Sequence, residues 1–262
     1  MEGDLLDGVV SCMILLVDFL CRFGFGLAAG LSVTPSRLVP SGFFRINLFV
    51  IMGVAFFATL LATSGVSALV AWLTGGASFV AWIGSAAWLA RRDRPGMTAC
   101  VLSGVLLAVA VGVIGSLGTP AGTEVSIGTS VWPFLSALLS GLVVGLTVHA
   151  MLLGHWYLNA PGMEISVLRR MIDFALFGWA AQFVCVVIEM EPQFESIAVA
   201  DRAILAIVSL RFLAGLIGLP VLLWMSRKTL DIPNTQSATG ILYVACLAAI
   251  TGEIAGQLMH SL

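Results

Sequence analysis

Charge is what this chain has least of. Only 10% of its 262 residues are Asp, Glu, Lys or Arg, against roughly a quarter in soluble proteins. Lysine occurs once, at Lys228, so there is no basic tract and no nucleic-acid partner is expected. Histidine occurs three times, at His149, His155 and His260. On a helix the first two stand roughly 120° apart, and the third belongs to another helix at another depth, so no compact metal-ligand set forms. The five cysteines, Cys12, Cys21, Cys100, Cys185 and Cys246, never adopt CxxC or CxxCH spacing, which excludes covalent haem attachment. They fall in apolar runs and read as small buried hydrophobes. HExxH, GxSxG, Walker and EF-hand patterns are also missing, so no catalytic residue is assigned and an enzymatic role stays open.

What is present is apolar length. Hydrophobic residues make up 60% of the chain, and runs of roughly 20 recur throughout, the length a helix needs to cross a bilayer. A membrane β-barrel would instead alternate over short segments. The expectation is an all-α, polytopic membrane helical bundle of about eight transmembrane helices, one integral membrane domain over residues 1–262 in contact with membrane lipids. Helix 1 is placed at Val9 to Leu31, helix 2 from Ile46 to Leu61, and helix 4 at Thr98 to Leu117. Helix 5 is placed at Val131 to Tyr157, helix 6 at Leu168 to Met190, helix 7 at Ala200 to Met225 and helix 8 at Thr239 to Met259. The break between helices 2 and 3 falls either at Thr63-Ser64-Gly65 or at Thr74-Gly75-Gly76. The acidic N-terminus lacks the basic start of a secretory signal, so helix 1 reads as retained.

Loop charges set the orientation. Arg37, Arg45, Arg91, Arg92, Arg94, Arg169, Arg170, Arg227 and Lys228, nine of the twelve basic residues, fall at alternate loops. The other loops carry Glu124, Glu191 and Glu195. Positive residues favour the cytoplasmic side, which places both termini outside the cytoplasm, in a multi-pass protein of the bacterial inner membrane.

Ionisable residues at bilayer depth cost roughly 2.5–3.5 kcal/mol each on insertion scales and so face partners or cavities. Asp18, Arg22, Gly26 and Gly30 step by four along helix 1; Arg211, Gly215 and Gly218 share a face of helix 7; Glu253, Gly256 and His260 share one of helix 8. These spacings put the charges on the close-packing faces. Asp18, Arg22, Arg211, Glu253 and His260 form one expected intramembrane network, with an Arg211–Glu253 ion pair between consecutive helices. It reads either as a register lock or as a proton or ion relay opening outward.

A second cluster is expected toward the cytoplasm. Gly141, Gly145 and His149 lie on one face of helix 5, where small residues admit a neighbouring helix. His149 could face Asp173 on helix 6, with His155, Trp156, Tyr157 and Asn159 at the helix end. Trp156 and Tyr157 also suit an interfacial belt, Asp173 could pair with Arg169, and Ser237 is the expected cap of helix 8. A quinone needs a His–carboxylate pair, aromatic walls and an apolar channel, which this cluster offers. Haem b is the lesser alternative, because His149 has no facing histidine.

The expected function is a membrane subunit of an electron-transfer complex, working with other membrane or peripheral redox subunits. Its helix count is similar to that of quinol-reactive subunits of the polysulfide-reductase type, in number alone. The alternatives are a secondary transporter or ion- and proton-conducting protein, with Pro220 as the helix break, and a structural or assembly subunit.

Overall fold

A computed structural model describes residues 2–117, 127–160, 162–190, 202–232 and 234–261. Its helices are α1 (Glu2–Val33), α2 (Ser41–Thr63), α3 (Ala68–Leu89), α4 (Asp93–Leu117), α5 (Ile127–Asn159), α6 (Ile165–Met190), an interrupted α7, and α8 (Thr235–Ser261). Helix α7 is α-helical over Arg202–Leu210, π-helical over Arg211–Gly218 and α-helical again over Leu219–Thr229. Among the described residues, eight helices are long and apolar enough to cross a membrane, which marks a multi-pass membrane protein. The loop residues Glu124, Glu191 and Glu195, the turn residue Pro161 and the side chain of His260 lie outside the described residues.

The ends of the helices follow local chemistry. The chain breaks at Ser64 rather than at Thr74, because Gly65 takes a φ of 134° that only glycine adopts freely. Thr74 instead returns its hydroxyl to the carbonyl of Val70, 2.9 Å away in its own helix, so α3 runs through Gly75 and Gly76 undisturbed. Asn234, not Ser237, caps α8: its side-chain oxygen accepts the Ser237 amide at 3.0 Å, satisfying one of the open amides of the first turn. Arg91 closes α3 at a φ of 54°, a left-handed position where glycine is the usual residue. Cys21, Cys100, Cys185 and Cys246 are buried as expected of small hydrophobes, but Cys12 is exposed.

Packing divides the chain into two compact units, Met1–Gly141 and Leu142–Leu262, with the boundary inside α5. In the first unit α1, α2, α3 and α4 pack pairwise, α1 on α2 and α4 and α3 on both its neighbours. Small residues make the contacts close, as expected where lipid removes the hydrophobic drive between helices. A Cβ on Gly84 would stand 2.6 Å from that of Ala99, and one on Gly104 would stand 3.2 Å from that of Ala28. Phe44 stacks on Trp88 with ring centroids 4.3 Å apart, and Gly96 lies under the same indole. Hydroxyls bridge helices: Ser78 donates to the Met52 carbonyl at 3.0 Å, and Thr59 to Thr74 at 2.9 Å. Gly141, in the expected small-residue stripe, lies against the backbone of Arg22.

In the second unit α7 packs on α6 and α8. Gly178 of α6 meets Val143 of α5, and Gly154 of α5 meets Thr239 of α8. The closest approach to backbone in this unit is between α7 and α8, where a Cβ on Gly252 would stand 2.6 Å from the Gly215 Cα. Backbone contact of this kind fixes helix register.

Candidate functional site

The interruption of α7 follows from Pro220. A proline in mid-helix has no amide to donate, and its ring clashes with the carbonyl four residues earlier. Widening the preceding turn to the π form relieves the clash. The amide of Leu219 then bonds to Ala214, five residues back. This leaves the Gly215 carbonyl without a backbone donor: in the α register its partner would be Leu219, which is committed, and in the π register it would be Pro220, which has no N–H. An unsatisfied carbonyl is costly in an apolar medium. Trp179 of α6 supplies the missing donor, its indole N–H reaching Gly215 at 3.3 Å while its ring stacks on Phe183.

Arg211 begins this π-helical stretch. Its guanidinium lies directly over Gly256 of α8, one step of four along from the Gly215–Gly252 contact. The two contacts define one antiparallel register, and a Cβ at 256 would displace the guanidinium from its present place. Glu253 follows Gly252 on α8 and is 5% exposed. Arg211, Glu253 and Gln182 of α6 line one cavity together with Gly215 and Gly252, about 20 Å³ in volume. That is room for one water molecule. Arg211 is nine residues from the start of α7 at Arg202, and Glu253 eight from the end of α8 at Ser261. At 1.5 Å per residue both are roughly 12–14 Å from the same end of the unit. Their depths match. Gln257, one turn beyond Glu253, is also buried, at 6% exposure.

The other expected cluster is arranged differently. His149 is fully buried, but Asp173 is not its partner. The Asp173 carboxylate accepts the Arg227 Nε–H at 2.7 Å and is 38% exposed. Arg169, expected to bond Asp173 within α6, instead reaches the Leu230 carbonyl at 2.9 Å and Asp231 at 3.2 Å. Arg227 and Lys228 complete the group at 3.5 and 3.6 Å from Asp231. Asp173 thus pairs with Arg227 and Arg169 with Asp231 across the helices, while Arg227 also keeps its i,i+4 contact with Asp231. The reason is geometric: α6 and α7 pack together here, which brings the carboxylates of one within reach of the arginines of the other.

His155 is exposed and turns away from His149; its Nδ1 is 3.2 Å from the hydroxyl of Tyr243 on α8. Trp156 is half-buried. Tyr157 is 6% exposed and is not a belt residue: its hydroxyl donates to the Glu164 carbonyl across the α5–α6 turn. The expected quinone cluster of His149, Asp173, His155, Trp156 and Tyr157 is therefore not assembled as one group, because the five side chains leave α5 and α6 in different directions.

Asp18 and Arg22 form a 2.6 Å ion pair within α1. They belong to the first unit, and Arg211 and Glu253 to the second. Gln182, Trp179, Gly252 and Tyr243 are site residues that the sequence pattern did not single out. Gly252 carried a signal, since it precedes Glu253 by one and Gly256 by four; Gln182 and Trp179 stand alone on α6 and carried none. Compared with family models, with curated proteins and with solved structures, the chain has no match.

Proposed function

We propose that this chain is an ion-translocating membrane protein of the transporter or proton-conducting class, in which Glu253 exchanges a proton and Arg211 is its counter-charge. The observation that carries the reading is the cavity shared by Arg211, Glu253 and Gln182 beside an interrupted helix. Buried charges at mid-depth beside a broken helix are what membrane carriers use to hold coupling ions, and π-helical stretches recur at functional sites. The volume of about 20 Å³ suits a proton or a single water and is too small for an organic substrate. When the carboxyl takes a proton from cavity water, the Glu253 charge is neutralised and Arg211 loses its counter-ion. When the proton leaves, the pair is restored. Loop charge supports an orientation with the termini outside the cytoplasm, in keeping with a bacterial inner-membrane location; the site then lies in the outer half of the bilayer.

The test is proton flux in proteoliposomes under an imposed potential, read by a trapped pH dye. The parent should acidify or alkalinise the lumen in the direction of the potential, and Glu253→Gln should reduce the rate at least tenfold. A Glu253→Gln protein that conducts at the parent rate would remove Glu253 from the path.

A second reading keeps the electron-transfer subunit. Its support is the His155–Tyr243 pair, an imidazole and a phenol open to the surroundings at one end of α5, suited to a quinone head group. Quinone recovered by solvent extraction from the parent, and lost in His155→Ala, would favour it.

A further inference from the structure

The cavity that holds Glu253 takes only one water and Glu253 is 5% exposed, so movement of the wall would widen its access to bulk water. The two ends of α7 are held by different contacts. Beyond the π-helical stretch, Leu219–Thr229 is anchored: Ser226 donates to the Ala238 carbonyl of α8 at 3.1 Å, and Arg227 holds Asp173 of α6 at 2.7 Å. Before it, the Ser209 hydroxyl bonds within its own helix, to Leu205, and the π-helical stretch itself meets α8 at Gly252 and Gly256.

We propose that the π-helical stretch is the moving part of the site and that Trp179 is its latch, a positioning residue that acts on Glu253 through the Gly215 carbonyl. Two donors can serve that carbonyl. In the π form, where Leu219 bonds Ala214, Trp179 at 3.3 Å supplies its donor; in the α form the Leu219 amide would already serve it and the indole would add less, so the indole favours the π form. If the indole leaves, the Leu219 amide can take Gly215 in the ordinary α register. Removing the extra residue from the turn rotates the preceding segment by about 100°. Arg211 begins the stretch and would turn away from Gly256, opening the wall of the cavity. Pro220 opposes this change, because its ring crowds the carbonyl four residues back in the α form. The latch therefore works against a strained alternative of comparable free energy, as a two-state element requires.

This inference rests on the proton-exchange reading, and the experiment separates the two. Amide hydrogen exchange is followed over residues 211–221 in the full chain in nanodiscs, alongside proton flux in proteoliposomes. Trp179→Phe keeps the stacking on Phe183 and deletes only the N–H; loss of one hydrogen bond should speed exchange in the stretch by roughly tenfold and raise flux several-fold. Pro220→Ala supplies an amide and removes the clash, so it should slow exchange below the parent rate. Unchanged exchange in Trp179→Phe, or exchange in Pro220→Ala as fast as in the parent, overturns the latch. If exchange responds as expected while Glu253→Gln still conducts, the latch stands and the proton-exchange reading falls.

Discussion

The two units handle their charges in different ways. In the first, Asp18 and Arg22 form an ion pair one turn apart on the same helix, so that contact is kept wherever α1 goes. The rest of that unit is knitted by glycine, alanine and hydroxyl contacts between unbroken helices. In the second, charges meet across helices, Arg227 with Asp173 and Arg169 with Asp231, and Arg211 and Glu253 line one cavity. A charge partnered within its own helix places no demand on its neighbours. One that depends on another helix ties its own solvation to the arrangement of the pair, which is what a conformational site needs.

The largest expected effect sharpens this contrast. Removing one partner of a buried charge pair costs roughly 3–5 kcal/mol, and removing both returns much of it. Arg211→Met and Glu253→Gln should each lower unfolding stability in detergent by that order, with the double variant near the parent in stability yet without proton flux. The matching cycle with Asp18→Asn and Arg22→Gln should also recover stability in the double variant, and flux should persist. Simple addition of the single losses at Arg211 and Glu253 would show that the two side chains do not interact.

A smaller effect should separate the helix contacts. Gly252 meets backbone, the Gly215 Cα, whereas Gly104 meets only the Ala28 methyl at 3.2 Å from its built Cβ. Overpacking costs roughly 1–3 kcal/mol. Gly252→Ala should fall in that range and reduce flux, because α7 and α8 must separate. Gly104→Ala should cost less and leave flux intact. Equal costs would mean that the α7–α8 approach is not the tighter constraint.

The smallest effect belongs to the exposed network. Asp173 is 38% exposed and Arg227 26%, so the pair is open to solvent and salt. Asp173→Asn should cost no more than about 1 kcal/mol, with the difference shrinking at high ionic strength. A larger, salt-insensitive loss would place Asp173 among the buried structural charges.

Much of the architecture is carried by local signals. Apolar runs of bilayer length are such signals, and the helices lie where those runs lie. The break between α2 and α3 could not be settled that way, because two small-polar triplets offer the same letters; only the hydroxyl bond of Thr74 and the φ of Gly65 distinguish them. The faces carrying Arg211 and Glu253 were legible from four-residue spacing. The partner of Asp173 was not, since spacing gives the face of a helix but not which neighbouring side chain reaches it first.

The sequence by itself determined the eight long apolar helices among the described residues, the shared faces on which Arg211 and Glu253 stand with glycines, and the presence of an interruption near Pro220. Each depends on periodicity along one segment or on the missing amide of one residue. Tertiary structure alone decided that Asp173 joins Arg227, that Gly252 rather than Gly256 meets Gly215, and that an indole on α6 satisfies the carbonyl Pro220 leaves open. Those outcomes depend on the register between helices, which is set by where two backbones can approach most closely.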